Sequence, residues 1–438
     1  MRGYAHRCGA ISRLFSIGES VEGRPLWALE ISSRPGVEEA KPSFKYVANM
    51  HGDEPSGRQL LLALAEWLCA NHAADERAKR TVEDLHLFIL PSMNPDGFER
   101  RQRANAHLVD LNRDFPDPFE RGEAGIVEPG GREQPETLAL MQWIRSRHFV
   151  ASASLHEGAL VANYPWDGTA DRGTHYSRAP DDAAFLHLAH VYADAHATMH
   201  ASPEFKGGVT NGAHWYPLWG GMQDWNYIAG DCLELTLELA PHKWPPQQEL
   251  PGLFEDNLPA MLALPLVSCF GGVRCRPDHP IISAPCAFCV GARWVQGGAH
   301  ALGEAGAAGK GRPLGAVIHV EGIDKTMSAS STFGDFYRPL APGTYNVTAA
   351  LAGYANETVT VIIPGDGSGE TVEFFMSRAG PNAAAVNWGL ARKFGPLREG
   401  PPGPVRCPRC PHNLNLNLSS ALPLAMKAGY PASRTHRA

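Results

Sequence analysis

Four apolar runs, each the length of a strand and each closed by a polar or turn residue, restrict this chain more than any other feature. Residues 44–50 (FKYVANM) lie between Pro42 and Gly52, and 85–90 (LHLFIL) stop at Pro91. Residues 149–155 (FVASASL) end at His156, and 232–239 (CLELTLEL) alternate apolar with polar. Runs this short, bounded by breakers, read as strands of a covered sheet. Helical segments separate them. Residues 57–68 are rich in Leu and Ala, and 181–197 and 253–264 read as further helices. Pro135 opens another at a position where its missing N–H costs nothing, with Leu138, Met141 and Ile144 as its apolar stripe. Strands alternating with helices to about residue 270 imply an α/β domain on a central sheet.

The texture then changes. Residues 315–321, 335–337, 345–351, 357–363 and 371–376 are short β-prone runs, parted by turn signals such as Pro342-Gly343 and Pro364-Gly365. That pattern predicts a small all-β sandwich. Residues 275–311 and 380–438 are rich in Gly, Ala and Pro without periodicity and read as loops or low-order segments. The expected division is therefore 1–270, then 271–378 with an irregular insertion at about 275–311, then a tail over 379–438.

Composition excludes some classes of function. A net charge of −7 leaves no basic footprint for nucleic acid. No stretch reaches the roughly 20 apolar residues that span a bilayer. The first residues, MRGYAHRCGAISRLF, have no apolar core and do not read as an export signal. Nine Cys do not make a complete disulfide framework. Cys286-x2-Cys289 and Cys407-x2-Cys410 have metal-ligand spacing, but a β-rich segment separates the pairs, so incidental cysteines are the expectation.

The chemistry starts at His51-Gly52-Asp53-Glu54, just after the first buried strand. A His and a Glu three positions apart in such a turn can face one point. Zinc accepts imidazole nitrogen and carboxylate oxygen, and a catalytic site needs a third protein ligand. His156, at the end of another strand, is the candidate. Ligands gather at the carboxyl ends of strands in open α/β sheets. Taken alone, His-x-x-Glu is better explained by a surface turn. Glu234 and Glu238 alternate along one strand, and the pattern does not choose between them as a base.

Longer motifs carry a resemblance. HGDEPSGR, PSMNPDGFE, DLNRDFPD, ASLHEGALVANYPWD, NGAHWYPLWGGMQDWNY and LTLELAPHKWPP, spread from about Ser12 to Pro246, resemble the zinc carboxypeptidases of the carboxypeptidase N, E, M and D group. The resemblance implies that fold: a mixed central sheet flanked by helices, followed by a transthyretin-like β-sandwich. It implies one zinc per chain, held by His51, Glu54 and His156. Glu238 matches the general base, through its place in TLEL. Arg103 matches the Arg that polarises the scissile carbonyl. Asn112 and Arg113 match the pair that grips the substrate's terminal carboxylate, and Tyr216 matches the mobile Tyr that closes over it. Asp167 and Gln223 match residues lining the pocket for the last side chain in members that prefer Lys and Arg. The expected activity is removal of a C-terminal Arg or Lys from peptides and proteins, through water activated by Glu238.

Two departures stand out. Glu157 replaces the Gly that follows the third ligand in this group, and Asp114 replaces the second Asn of NRNFPD. The chain also starts where the group's catalytic domain is already under way, so a truncated or mispredicted start is expected. Secretion follows from the resemblance, and sequons at Asn346, Asn356 and Asn417 are compatible with a glycoprotein. A monomer with peptide or protein substrates is the expected state. The alternatives are an inactive relative that binds peptides or matrix, and a zinc hydrolase acting on a non-protein amide. Every matched catalytic position is filled, which favours an active exopeptidase.

Overall fold

The computed structural model describes residues 1–120, 129–270, 293–301, 312–313, 315–364 and 370–379. The expected tail beyond 379, both Cys-x2-Cys pairs, Asn417 and most of 275–311 lie outside these residues.

Strands β1 (Ser12–Glu19), β2 (Pro25–Ile31), β3 (Ser43–Ala48), β4 (His86–Leu90), β5 (Phe149–His156), β6 (Ala159–Tyr164), β7 (Val209–Asn211) and β8 (Leu233–Ala240) form one sheet. Its order is β1-β2-β4-β3-β5-β8-β6-β7. The centre, β4-β3-β5-β8, is parallel, while β1, β2 and the β6–β8 pairing are antiparallel. This is the mixed sheet expected. Helices are α1 (Arg2–Arg7), α2 (Ser56–Asn71), α3 (Glu76–Asp84), α4 (Pro95–Arg100), α5 (Pro135–Arg145), α6 (Asp182–Ala195), α7 (Gly212–Trp215), α8 (Met222–Gly230) and α9 (Leu250–Phe270).

Side-chain alternation divides the sheet into two buried faces. Leu233, Leu235, Leu237 and Leu239 of β8 join Ala151, Ala153 and Leu155 of β5 under α2, α3, α6 and α9. The opposite face packs on α5 and α8 through Phe88, Leu140, Trp143, Phe149 and Trp225. On that second face β5 and β8 also carry Ser152, Ser154, His156, Glu234, Thr236 and Glu238, all buried. A covered polar row of this kind must be hydrogen-bonded, because each unpaired group costs about 1–3 kcal/mol. Glu234 Oε2 accepts from Ser152, Asn226 and the fully buried Lys45, at 2.7, 2.8 and 3.4 Å.

The strands expected from apolar runs are present within a residue or two. No apolar run predicts β1 or β2: β1 is partly exposed and mixes polar with apolar residues, and β2 buries Glu30 among Leu26, Ala28, Leu29 and Ile31. Helix α9 runs through Pro259 and Pro265, longer than the 253–264 expected. A Pro inside a helix costs about 3 kcal/mol, but the helix buries Leu258, Met261, Leu262, Leu264, Leu266 and Val267 against the sheet. Cys8 and Cys69 form a disulfide across 61 residues, tying α1 to the end of α2. No local spacing could have paired them.

The C-terminal part forms two four-stranded sheets from β9 (Arg293–Ala301), β10 (Arg312–Pro313), β11 (Val317–Val320), β12 (Met327–Ser328), β13 (Asp335–Leu340), β14 (Gly343–Ala350), β15 (Glu357–Ile363) and β16 (Glu370–Met376). Ile318, Val320, Phe336, Val347, Val361 and Phe374 fill the space between them. Arg293–Ala301 corrects the reading of 275–311 as irregular throughout: β9 is the strand that both β13 and β16 pair with. Its Gly297-Gly298 and small residues hid the alternation.

Arg338 of β13 is fully buried and donates to Asp181 Oδ2 at 2.9 Å, ahead of α6. Tyr227 of α8 donates to the same oxygen at 2.6 Å. Removing one partner of a buried ion pair leaves the other charge uncompensated. Arg338→Ala is therefore expected to lower the unfolding free energy by about 3–5 kcal/mol, and Arg338→Met by less. Denaturant unfolding of both variants checks this; equal stability of wild type and Arg338→Ala would rule out a structural pair.

Candidate active site

Strands β3, β4 and β5 run parallel, but the strand order reverses at β3: the chain passes from β3 to β4 on one side and later to β5 on the other. That switch point opens a crevice at the carboxyl ends of the strands. His51 and Glu54 follow β3, and His156 ends β5. Their donor atoms all lie within 4.8 Å of one another. His51 Nδ1 is 3.0 Å from Glu54 Oε1, His156 Nδ1 is 2.8 Å from Glu54 Oε2, and the two Nδ1 atoms are 3.1 Å apart. All three side chains are buried.

The outer ring nitrogens are occupied. His51 Nε2 lies 3.0 Å from Asp110 Oδ1, and His156 Nε2 lies 3.0 Å from Ser154 Oγ. These contacts turn both Nδ1 atoms toward the common centre, as outer-shell partners of metal-binding imidazoles do. Two imidazoles and a carboxylate suit zinc, and donors about 2.0–2.1 Å from a tetrahedral ion stand roughly 3.3 Å apart. The observed spacings fit. Although burial acts to raise it, hydrogen bonds from His156 and His51 hold the Glu54 carboxyl well below the usual carboxylate range.

Asp110, Ser154 and Lys243 were not singled out from the sequence. Asp110 also accepts from Arg103 Nε at 2.8 Å, which sets that guanidinium beside the cluster, with Nη1 3.5 Å from Glu54 Oε1. Lys243 Nζ stands 2.7 Å from Glu54 Oε1. Asp110 lies two positions before Asn112, but only the fold brings it to His51, 59 residues away.

Glu238 faces the same crevice, because the β5–β8 register sets it opposite His156. Its Oε2 has no hydrogen-bond partner among the described residues. Burial pushes its carboxyl up to about 7, with Glu54 adding to the shift and His156 opposing it. Glu234, the sequence alternative, pairs with Lys45 near the start of β8, four residues before Glu238.

Farther along the crevice lies a second group. The Asn112 side-chain oxygen accepts the Met222 N–H at 3.0 Å. Arg113 is exposed and donates to Asn112 O at 2.8 Å. Tyr216 is 44% exposed and lies within electrostatic reach of Glu238, Asp167, Arg113 and Arg103. Asp167 is buried, and its Oδ1 accepts from Asn163 Nδ2 and Gln223 Nε2, both at 3.0 Å. Burial raises its carboxyl above the usual range. Gly212 gives this carboxylate room: a Cβ there would stand 1.8 Å from Oδ1. Asp224 accepts the backbone N–H groups of Asp167 and Gly168 at 2.9 Å each. Asp114 accepts from Gln134 N at 2.7 Å, at the start of α5. That departure from the motif is structural.

The profile described as zinc carboxypeptidase matches residues 1–260. The chain belongs to the zinc carboxypeptidase family. It is thus a metallocarboxypeptidase by family, a hydrolase whose cofactor is zinc. Carboxypeptidase SOL1 of Arabidopsis thaliana is 48% identical over 362 residues, covering 82% of this chain and 67% of that protein. Human carboxypeptidase N catalytic chain is 36% identical over 426 residues, covering 89% of this chain and 86% of its own length. Human carboxypeptidase D is 38% identical over 387 residues; the match covers 84% of this chain but 25% of that longer protein. Thrombin activatable fibrinolysis inhibitor shares the fold, with a TM-score of 0.50 at 21% identity, covering 60% of this chain and 70% of that one. No helix among the described residues is long and apolar enough to cross a membrane.

Two variants test the metal centre. Elemental analysis is expected to find zinc in the wild type and none in His156→Ala, with the far-ultraviolet circular dichroism of the two alike. Asp110→Ala is expected to weaken zinc binding about 10–100-fold in chelator competition, the usual effect of losing an outer-shell partner. Zinc retained at full strength by His156→Ala would remove His156 from the ligand set.

Proposed function

We propose that the protein is an exopeptidase that releases Arg or Lys from the C-terminus of peptides and proteins. The observation that carries this reading is the buried Asp167 carboxylate, hydrogen-bonded to Gln223 at 3.0 Å beside Arg113 and Tyr216. In this reading His51, Glu54 and His156 hold the zinc. When bound, zinc polarises the scissile carbonyl and makes water a better nucleophile.

The chain's own groups do the rest. Arg113 and Asn112 bind the substrate's terminal carboxylate, a pairing that guanidinium geometry favours. This restricts cleavage to the last residue. Tyr216, exposed on the loop after α7, closes over the bound end. Glu238 takes a proton from the attacking water and later delivers it to the leaving amine. The C–N bond breaks, giving a shortened peptide and a free amino acid. Arg103 stabilises the developing oxyanion; its Nε contact with Asp110 aims it before substrate arrives. Asp167 receives the cationic end of the last side chain. A neutral side chain there would leave a buried carboxylate, hydrogen-bonded only to neutral amides, without a counter-charge.

We further propose residues 1–270 as the catalytic unit and 271–378 as the β-sandwich that follows it. A peptide-processing role in the secretory pathway or outside the cell is supported by the Cys8–Cys69 disulfide and by the exposed sequon at Asn356.

Blocked dipeptides ending in Arg, Lys, Phe and Ala test specificity. Arg and Lys are expected to exceed Phe by at least about a hundredfold in kcat/KM, on the order of 3 kcal/mol. Asp167→Ala should erase most of that preference and keep its zinc. Equal cleavage of Arg and Phe ends by the wild type would sink basic specificity and leave the family unaffected. Glu238→Gln is expected to bind zinc and substrate while kcat falls by orders of magnitude; if Glu234→Gln is the catalytically silent, zinc-loaded variant instead, Glu238 is not the base.

A further inference from the structure

Glu157 takes no part in the reaction above, and glycine was the expected residue there. It follows the ligand His156 and is buried. A buried carboxylate persists only where donors surround it, and the donors here are backbone groups. Its Oε1 accepts the N–H of Ser56, and its Oε2 accepts the N–H of Trp244 at 2.8 Å. Its own N–H donates to Glu54 Oε2 at 3.2 Å.

Each partner sits on a segment that bears on the metal cluster. Ser56 opens α2 two positions after Glu54, so the Glu157 carboxyl sits at the amino end of that helix, where free N–H groups favour an acceptor. Trp244 has φ 55°, in the left-handed region that a non-glycine residue rarely adopts without outside support. Its ring stacks on Phe98 at 5.3 Å and 17°. The Phe98 backbone in turn crowds Gly52, where a Cβ would lie 2.4 Å from the Phe98 nitrogen. Gly52 lies between the ligands His51 and Glu54. These links close a circuit around the two-ligand turn: Glu157, Trp244, Phe98, Gly52, Ser56 and back to Glu157. The same Trp244 turn brings Lys243 Nζ to 2.7 Å from Glu54.

We propose that Glu157 is a positioning residue of the metal centre, whose carboxylate locks the His51–Glu54 turn and the Lys243–Trp244 turn to the end of β5 and so slows metal release. The inference rests on reading His51, Glu54 and His156 as the ligands. Without the carboxylate, the Ser56 and Trp244 amides lose their acceptors and the circuit opens. Glu54 then gains freedom to swing away from the two imidazoles. The groups proposed to bind substrate are anchored elsewhere, Asp167 through Asn163 of β6 and Gln223 of α8.

The experiment follows zinc release into excess chelator for the wild type, Glu157→Gln and Glu157→Gly, with Tm, kcat and KM on an Arg-ended dipeptide. Glu157→Gln keeps the shape but turns an amide donor against one of the two N–H groups. Release is expected to become about 10–100-fold faster, the range for outer-shell partners, with kcat lowered and KM little changed. A folded variant that releases zinc at the wild-type rate overturns the proposal. So does a fall in Tm with release unchanged, which marks a brace with no bearing on the metal. A wild type that binds no zinc would overturn the ligand reading instead, and is a separate result. Should neither variant fold, hydrogen exchange on the wild-type zinc protein decides: the Ser56 and Trp244 amides must both be protected, and free exchange at either one overturns the proposal.

Discussion

Parallel hydrogen bonding of β3, β5 and β8 places the imidazoles and carboxylates of the site within reach of one another. Ala48 of β3 pairs with Leu155 of β5, and His156 of β5 pairs with Glu238 of β8. Three strands that run in one direction end at one edge, and each delivers its polar residue there. A slip of one residue in β8 would turn Glu238 to the opposite face, under the helices, because side chains alternate with a period of two. The register is held by the leucines of β8, which face the larger core. Packing far from the crevice thus decides which carboxylate enters it.

The domain buries several charged groups away from the crevice, and these have fixed partners. Lys45 and Glu234 neutralise each other beneath the strands with help from Ser152 and Asn226. Asp224 is matched to two backbone N–H groups of the Asp167 loop. Arg338 and Asp181 join the C-terminal sheets to α6 and, through Tyr227, to α8. Buried groups with fixed partners cannot move cheaply, which keeps the crevice rigid where ligands converge. Arg113 and Tyr216, by contrast, are exposed and lightly held. Parts that must admit and then grip a substrate are drawn from the loosely packed end of a structure.

The two departures from the family's motifs resolve in the same terms. Asp114 and Glu157 both accept backbone N–H groups at helix starts, of α5 and α2. A carboxylate is favoured at such an end by its free donors and by the helix dipole. Neither residue adds a reactive group to the crevice. Each replaces a neutral residue with a fixed acceptor next to a functional one.

Much of the site was legible in the residues themselves. Short apolar runs closed by Pro and Gly marked the central strands, since burial on both faces requires such composition. His51, Glu54 and His156 stood out because strand ends are where ligands gather, and long ordered motifs supplied the rest of the constellation. What remained hidden needed three dimensions. Asp110 and Ser154 act on the imidazoles through contacts that no spacing encodes. Cys8 finds Cys69 only when α1 packs beside α2. Strand β9 was masked by glycines whose pairing comes from neighbouring strands. Glu234 and Glu238 were equivalent as letters, four apart on one face of one strand. The fold separated them, because Lys45 lies beneath the first and the crevice opens above the second. Sequence pattern is a record of burial and turns along the chain, so it determined elements and motif residues. Partners distant in sequence are selected by packing, and only the tertiary structure decided which buried group each of them met.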